Sequence, residues 1–156
     1  QNRKLHLILK TQFITEESKI RRILEAAALA MVRLESDHPL IFDMAPWSNA
    51  PVLKAVAVEI SDSRQLDPLL HALNSGTSRL RSLHLHFSRA MKRRGIGWGK
   101  LEEISKILHQ KSTVYSLKLS GSLDCAVSLL GLHAYQESST SKLRKLEIES
   151  SFTSLL

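Results

Sequence analysis

Apolar residues recur along this chain in a nine-residue frame. In Leu80-Arg81-Ser82-Leu83-His84-Leu85-His86-Phe87-Ser88, leucines take positions 1, 4 and 6 and a serine closes position 9. The same positions hold Leu53, Val56, Val58 and Ser61, then Val114, Leu117, Leu119 and Ser122, then Leu143, Leu146, Ile148 and Ser151. Alternation at positions 4 and 6 predicts a short strand with one buried face. Recurrence every few tens of residues predicts units that bury their apolar strips only by stacking. The serine at position 9 is expected to satisfy a backbone group where the chain leaves the sheet.

Two further frames are less regular. Leu5, Leu7 and Leu9 alternate with polar neighbours and predict a strand, with Asn2, Leu5 and Leu7 at positions 1, 4 and 6. Ala26 to Met31 is strong helix-forming sequence, and propensity alone carries a helix to Glu35. Leu29, Val32 and Leu34 nevertheless match positions 1, 4 and 6. A strand there spaces the frame starts, at residues 2, 29, 53, 80, 114 and 143, as a repeat requires, so six strands are expected rather than five.

Between the frames the period changes to that of helices. Thr15 with Glu16 and Glu17 makes a helix start, followed by the apolar face Ile20, Ile23, Leu24 and Ala27. Asp62 or Ser63 can cap a second helix whose stripe is Leu66, Leu69, Leu70 and Leu73, ended by Asn74-Ser75-Gly76. Leu101, Ile104, Ile107 and Leu108 define a third, to Gln110, and Leu123, Val127, Leu130 and Ala134 a fourth. Pro39, Pro46 and Pro51 exclude a long helix between the second and third frames, so that return should be irregular, with Leu40, Phe42 and Trp47 inward.

The frames Leu80–Ser88, Val114–Ser122 and Leu143–Ser151 resemble the leucine-rich repeats of ribonuclease-inhibitor-like and F-box-associated proteins, with serine where most such repeats use Asn or Cys. Asn49-Ala50-Pro51-Val52-Leu53-Lys54-Ala55-Val56-Ala57-Val58, after Pro39-Leu40-Ile41-Phe42, is similar to the irregular repeats of fungal F-box proteins. The resemblance spans nearly the whole chain on loose motifs. It implies an α/β fold: one leucine-rich repeat solenoid over residues 1–156, a curved parallel sheet with helices and irregular turns on its convex side. It also implies a protein partner on the concave face and, since no F-box lies in these residues, the substrate-selecting part of a ubiquitin ligase adaptor. The start at Gln1 and the stop inside a sixth unit suggest a piece of a longer protein.

Charge sharpens the binding expectation. The formal net charge is +7, and Arg89, Lys92, Arg93, Arg94 and Lys100 supply five of these charges within twelve residues that contain no acid. A local excess of this kind predicts a basic loop, loosened by Gly95, Gly97 and Gly99, with polyanion or nucleic-acid binding as the alternative function and a spacer in a longer solenoid as the third. Position 2 reads Arg3, Ala30, Lys54, Arg81, Tyr115 and Arg144 along successive frames, a basic column with one aromatic. Position 5 reads His6, Arg33, Ala57, His84, Lys118 and Glu147, and Glu35, Glu59 and Glu149 border it at position 7. Arg and Tyr commonly carry interface energy. Arg3, Lys54, Arg81, His84, His86, Tyr115, Lys118 and Arg144 are therefore the expected partner-binding residues.

Catalysis finds little support. His84 and His86 face one side of a strand at ligand spacing, but no third metal ligand stands at a persuasive spacing. The Gly95–Lys100 stretch lacks both the spacing and the hydroxyl of a phosphate loop. No nucleophile–base–acid arrangement emerges, so no enzyme, cofactor or metal is expected. Cys125 falls in an apolar helical pattern and reads as a buried thiol, which points to a reducing, intracellular setting. Hydrophobic residues make up 43% of the chain, enough for a core, and no apolar run reaches the length of a membrane span.

Overall fold

In the computed structural model, six strands form one parallel sheet in sequential order. They are β1 (Leu5–Leu9), β2 (Met31–Ser36), β3 (Ala55–Ile60), β4 (Ser82–Phe87), β5 (Ser116–Gly121) and β6 (Lys145–Glu149). The structure describes residues 4–10, 16–38, 50–61, 63–74, 80–88, 98–110, 113–121 and 144–149. Parallel neighbours cannot be joined by a tight turn and need a crossover. Helix α1 (Glu17–Ala27) lies between β1 and β2, α2 (Leu66–Asn74) between β3 and β4, and α3 (Trp98–Gln110) between β4 and β5. No helix among the described residues is long and apolar enough to cross a membrane.

The core lies between one face of the sheet and these helices. Val56, Leu83 and Leu117 pair across β3, β4 and β5, and Val58, Leu85 and Leu119 pair beside them; all six are buried. Position 1 of the same frames, Leu53, Leu80 and Val114, is buried at the strand entrances. Ile20, Leu24 and Ala27 of α1, Leu66, Leu69 and Leu73 of α2, and Ile104, Ile107 and Leu108 of α3 close the same cluster. Ile23 and Leu70 are only partly buried against it. Apart from Leu101, whose side chain lies outside the described residues, the apolar stripes of the three helices are thus the ones their spacing predicts. Thr15 lies outside the described residues; Glu16 holds the N-cap position of α1 without a side-chain cap bond. The cap expected from Asp62, the inward packing of Leu40, Phe42 and Trp47, the helix from Leu123 and the environment of Cys125 also fall outside them.

Strand β2 decides the contest between propensity and repeat. Helix α1 ends at Ala27, Ala28 to Ala30 turn, and the chain is extended from Met31, where Met31 and Leu34 are fully buried. Pairing with strands on both sides and burial of these two side chains outweigh the few tenths of a kcal/mol per residue by which propensity favours helix. The phase of the expected frame is corrected, however. Leu34 pairs with Val56, which makes Leu34 position 4 and Met31 position 1. Leu29, expected inward, is 78% exposed in the turn, and Val32 is only partly buried. The same two-residue displacement holds in β1, where Leu7 pairs with Leu34 and Leu9 with Ser36, leaving Leu5 at 38% exposure. A register irregularity between Leu5 and His6 accommodates Val32.

Two core features escaped the frame. Position 8 is buried: Ile60 and Phe87 have no exposed surface, and Phe87 pairs with Gly121. Gly121 has φ +93°, and a Cβ there would lie 2.0 Å from the Phe87 carbonyl oxygen, so only glycine fits. The two described position-9 serines, Ser61 and Ser88, also act differently from expectation, while Ser122 and Ser151 lie outside the described residues. Ser61 presents its N–H and its hydroxyl to Gln65 Oε1 at 2.8 and 3.3 Å, and the buried Gln65 amide donates to the Glu59 carbonyl at 3.0 Å. The exit from β3 is therefore satisfied by glutamine. At Ser88 the backbone N–H donates to Ile60, while the buried hydroxyl has no partner among the described residues.

Candidate functional site

The described helices pack on one face of the sheet, and the other face displays positions 2, 3, 5 and 7. At position 2 the main chain itself aligns the side chains. The N–H of Lys54 donates to Val32 at 2.9 Å, that of Arg81 to Lys54 at 2.8 Å, that of Tyr115 to Arg81 at 2.9 Å and that of Arg144 to Tyr115 at 2.7 Å. Lys54, Arg81, Tyr115 and Arg144 are thus neighbours at the entrances of four adjacent strands, a row about 14 Å long at the usual strand spacing. All four are exposed, Tyr115 by 47%. Thr113 Oγ1 donates to the Leu80 carbonyl at 2.6 Å and ties the entrances of β4 and β5 together.

The phase correction changes the far end of this row. Arg3 is outside the described residues, and Ala30 belongs to the turn, so Val32 rather than Ala30 precedes Lys54. Arg33 moves from position 5 to position 3, where it pairs with Ala55, and Glu35 moves from position 7 to position 5, where it pairs with Ala57. Asp37, which the sequence frame left out, takes position 7 of β2.

His84 and His86 converge on one hydroxyl. His84 Nε2 and His86 Nδ1 lie 2.9 and 2.8 Å from Ser120 Oγ, and Ser120 is buried. A hydroxyl carries one proton, so it can donate to one neutral ring and must accept from the other. Protonating both rings makes both nitrogens donors and turns the hydroxyl proton away from the pair. Burial is the largest influence holding His84 below the ordinary histidine value, followed by the charges of Lys118, His86 and Arg33; Glu35 pulls the other way. Among the described residues, no third His, Cys, Asp or Glu joins the pair in a grouping that could hold a metal ion. Ser120 was legible in principle, since it has the same frame position as His86 in the next strand.

The remaining candidates divide. Lys118 is engaged within the face, with Glu149 at 3.2 Å and Glu147 at 3.6 Å, and these partners raise its pKa, the Glu149 hydrogen bond most. Lys145 also reaches Glu147, at 3.6 Å. Lys100, grouped by sequence with the basic loop, sits instead in the first turn of α3 and pairs with Asp67 of α2 at 2.9 Å. Arg89, Lys92, Arg93 and Arg94 lie outside the described residues. Beside the histidines, a depression of about 200 Å³ is lined by Lys10, Glu35, Asp37 and Glu59 together with His84 and His86. No family model, curated protein or solved structure matches the chain.

Proposed function

We propose that this chain is a leucine-rich-repeat-type recognition module whose sheet face opposite the described helices binds an acidic or phosphorylated segment of another protein. The observation that carries this reading is the hydrogen-bonded row Lys54, Arg81, Tyr115 and Arg144. It presents three cations and an aromatic ring to solvent from hydrogen-bonded strand entrances, the residue types that bind carboxylate and phosphate groups with little ordering cost. Sequential strand order with the described helices on one face supports a solenoid as the finer description of the fold. Within a longer protein carrying an F-box, the role that the repeat resemblance implies is substrate selection for a ubiquitin ligase.

Fluorescence anisotropy with an array of acidic and phosphorylated peptides tests the assignment. Arg81→Ala with Tyr115→Ala should weaken binding by about 1 to 3 kcal/mol, whereas deletion of residues 92–97 should leave it unchanged. The reverse pattern would transfer the function to the basic loop, as polyanion binding with steep salt dependence.

A further inference from the structure

The phase correction exposes an arrangement of charge that the sequence frame obscures. At positions 2 and 3, where the strands enter the sheet, the charged residues of the described strands are Arg33, Lys54, Arg81, Arg144 and Lys145, all cationic. At positions 5 and 7, toward the strand exits, stand Glu35, Asp37, Glu59, Glu147 and Glu149, with only Lys10 and Lys118 of opposite sign. Placing Arg33 in its paired position moves a cation from the exit side to the entrance side, and the same displacement brings Asp37 into position 7. The face is bipolar along the strand direction, and it has no counterpart in the net charge of the chain.

The two ends of the acidic side differ. Glu147 and Glu149 are already compensated by Lys118 and Lys145. Glu35 and Glu59 have no ion pair among the described residues and line the depression beside His84 and His86, with Lys10 at its rim. That depression, about 200 Å³, is several times the ~30 Å³ that a water molecule occupies, enough to admit the tip of a long side chain. From Lys54 to Glu59 the strand advances about 16 Å at ~3.3 Å per residue.

Resting on the recognition reading above, we infer that the face takes an extended segment of another protein in one orientation, its carboxylate or phosphate group at Arg81 and its Lys or Arg side chain in the depression at Glu35 and Glu59. The complementarity demands opposite charges about five residues apart in that segment. A uniformly anionic ligand such as nucleic acid would meet attraction at the entrances and repulsion at the exits. A second copy of this chain, turned to pair entrance with exit, is the competing occupant.

Two amidated peptides of identical composition test this, one with a Glu pair and an Arg pair about five residues apart and the other with the charges interleaved. The first should bind roughly tenfold more tightly at low salt. A spin label at its acidic end should broaden the amide signals of Arg81 and Tyr115, and one at its basic end those of Glu59 and His86. Glu35→Gln with Glu59→Gln should abolish the difference between the peptides while sparing a singly phosphorylated neutral peptide. Equal affinities, or labels that broaden both ends alike, overturn the orientation but leave the recognition reading standing. Loss of all peptide binding, with Arg81→Ala and Tyr115→Ala silent toward every ligand, overturns both. A doubling of mass with concentration that the same glutamine changes reverse assigns the face to a second copy and overturns the inference.

Discussion

Strands β3 to β6 and strands β1 and β2 belong to one sheet, yet only the first group follows the register that their sequences predict. In β3 to β6, the residues aligned by the frame are the residues paired in space: Val56 with Leu83, Leu83 with Leu117, and Leu117 with Leu146. In β1 from His6 onward, and in β2, the predicted positions are displaced by two. The difference lies in how many phases each stretch permits. In the frame that starts at Leu80, sliding by two would put Arg81 at a core position in one direction and Ser82 at the buried first position in the other. Leu5, Leu7 and Leu9 are interchangeable under the same slide, as are Leu29, Met31 and Leu34 in part. A slip of one residue reverses the faces of a strand and is strongly penalised, whereas a slip of two preserves the faces and is settled by the neighbours.

This contrast can be broken most severely at the centre of the regular group. Leu117 is 1% exposed between Leu83 and Leu146, and Leu117→Asp should abolish cooperative thermal unfolding, a loss above about 4 kcal/mol, because it leaves an unpaired carboxylate in the core. Circular dichroism melting would show it, and a variant that melts like the parent would refute the shared core. Gly121→Ala comes next. It combines a left-handed backbone with a contact at 2.0 Å to a carbonyl and should cost about 2 to 4 kcal/mol in urea unfolding.

The displaced register is sharpened by a pair of substitutions in β2. Met31→Ala should cost about 2 to 4 kcal/mol, as deletion of a fully buried side chain does. Leu29→Ala, at a residue 78% exposed, should stay within about 0.5 kcal/mol. The opposite order in denaturant midpoints would restore the phase read from sequence.

The smallest effect is expected from pH. The folded-state pKa of His84 is lowered, so between that value and the unfolded value near ~6.5 the unfolded chain binds more protons. Stability should therefore rise with pH through a window below ~6.5 and fall on acidification. His84→Gln, which keeps a hydrogen-bonding group near Ser120, should flatten the slope of the denaturant midpoint against pH in that window. An unchanged slope would mean that another group titrates there.

Alternation and helical spacing were sufficient to place five strands and the described parts of three helical stripes, because a local period is a property of consecutive residues. Strand β2 and the row Lys54, Arg81, Tyr115 and Arg144 followed from the interval between repeats, against the helix propensity of the stretch before Glu35 in the case of β2. The phase of β1 and β2, the burial of position 8 and the glycine at 121 were decided only in the folded sheet, because each depends on what stands in the adjacent strand. The candidate site divides in the same way. Its cations were legible as a column, but the separation of Arg33 from Glu35 across the face, and the junction of His84 and His86 at Ser120, required the true register. Hydrogen bonds between strands carry that information, and a chain read one residue at a time does not contain it.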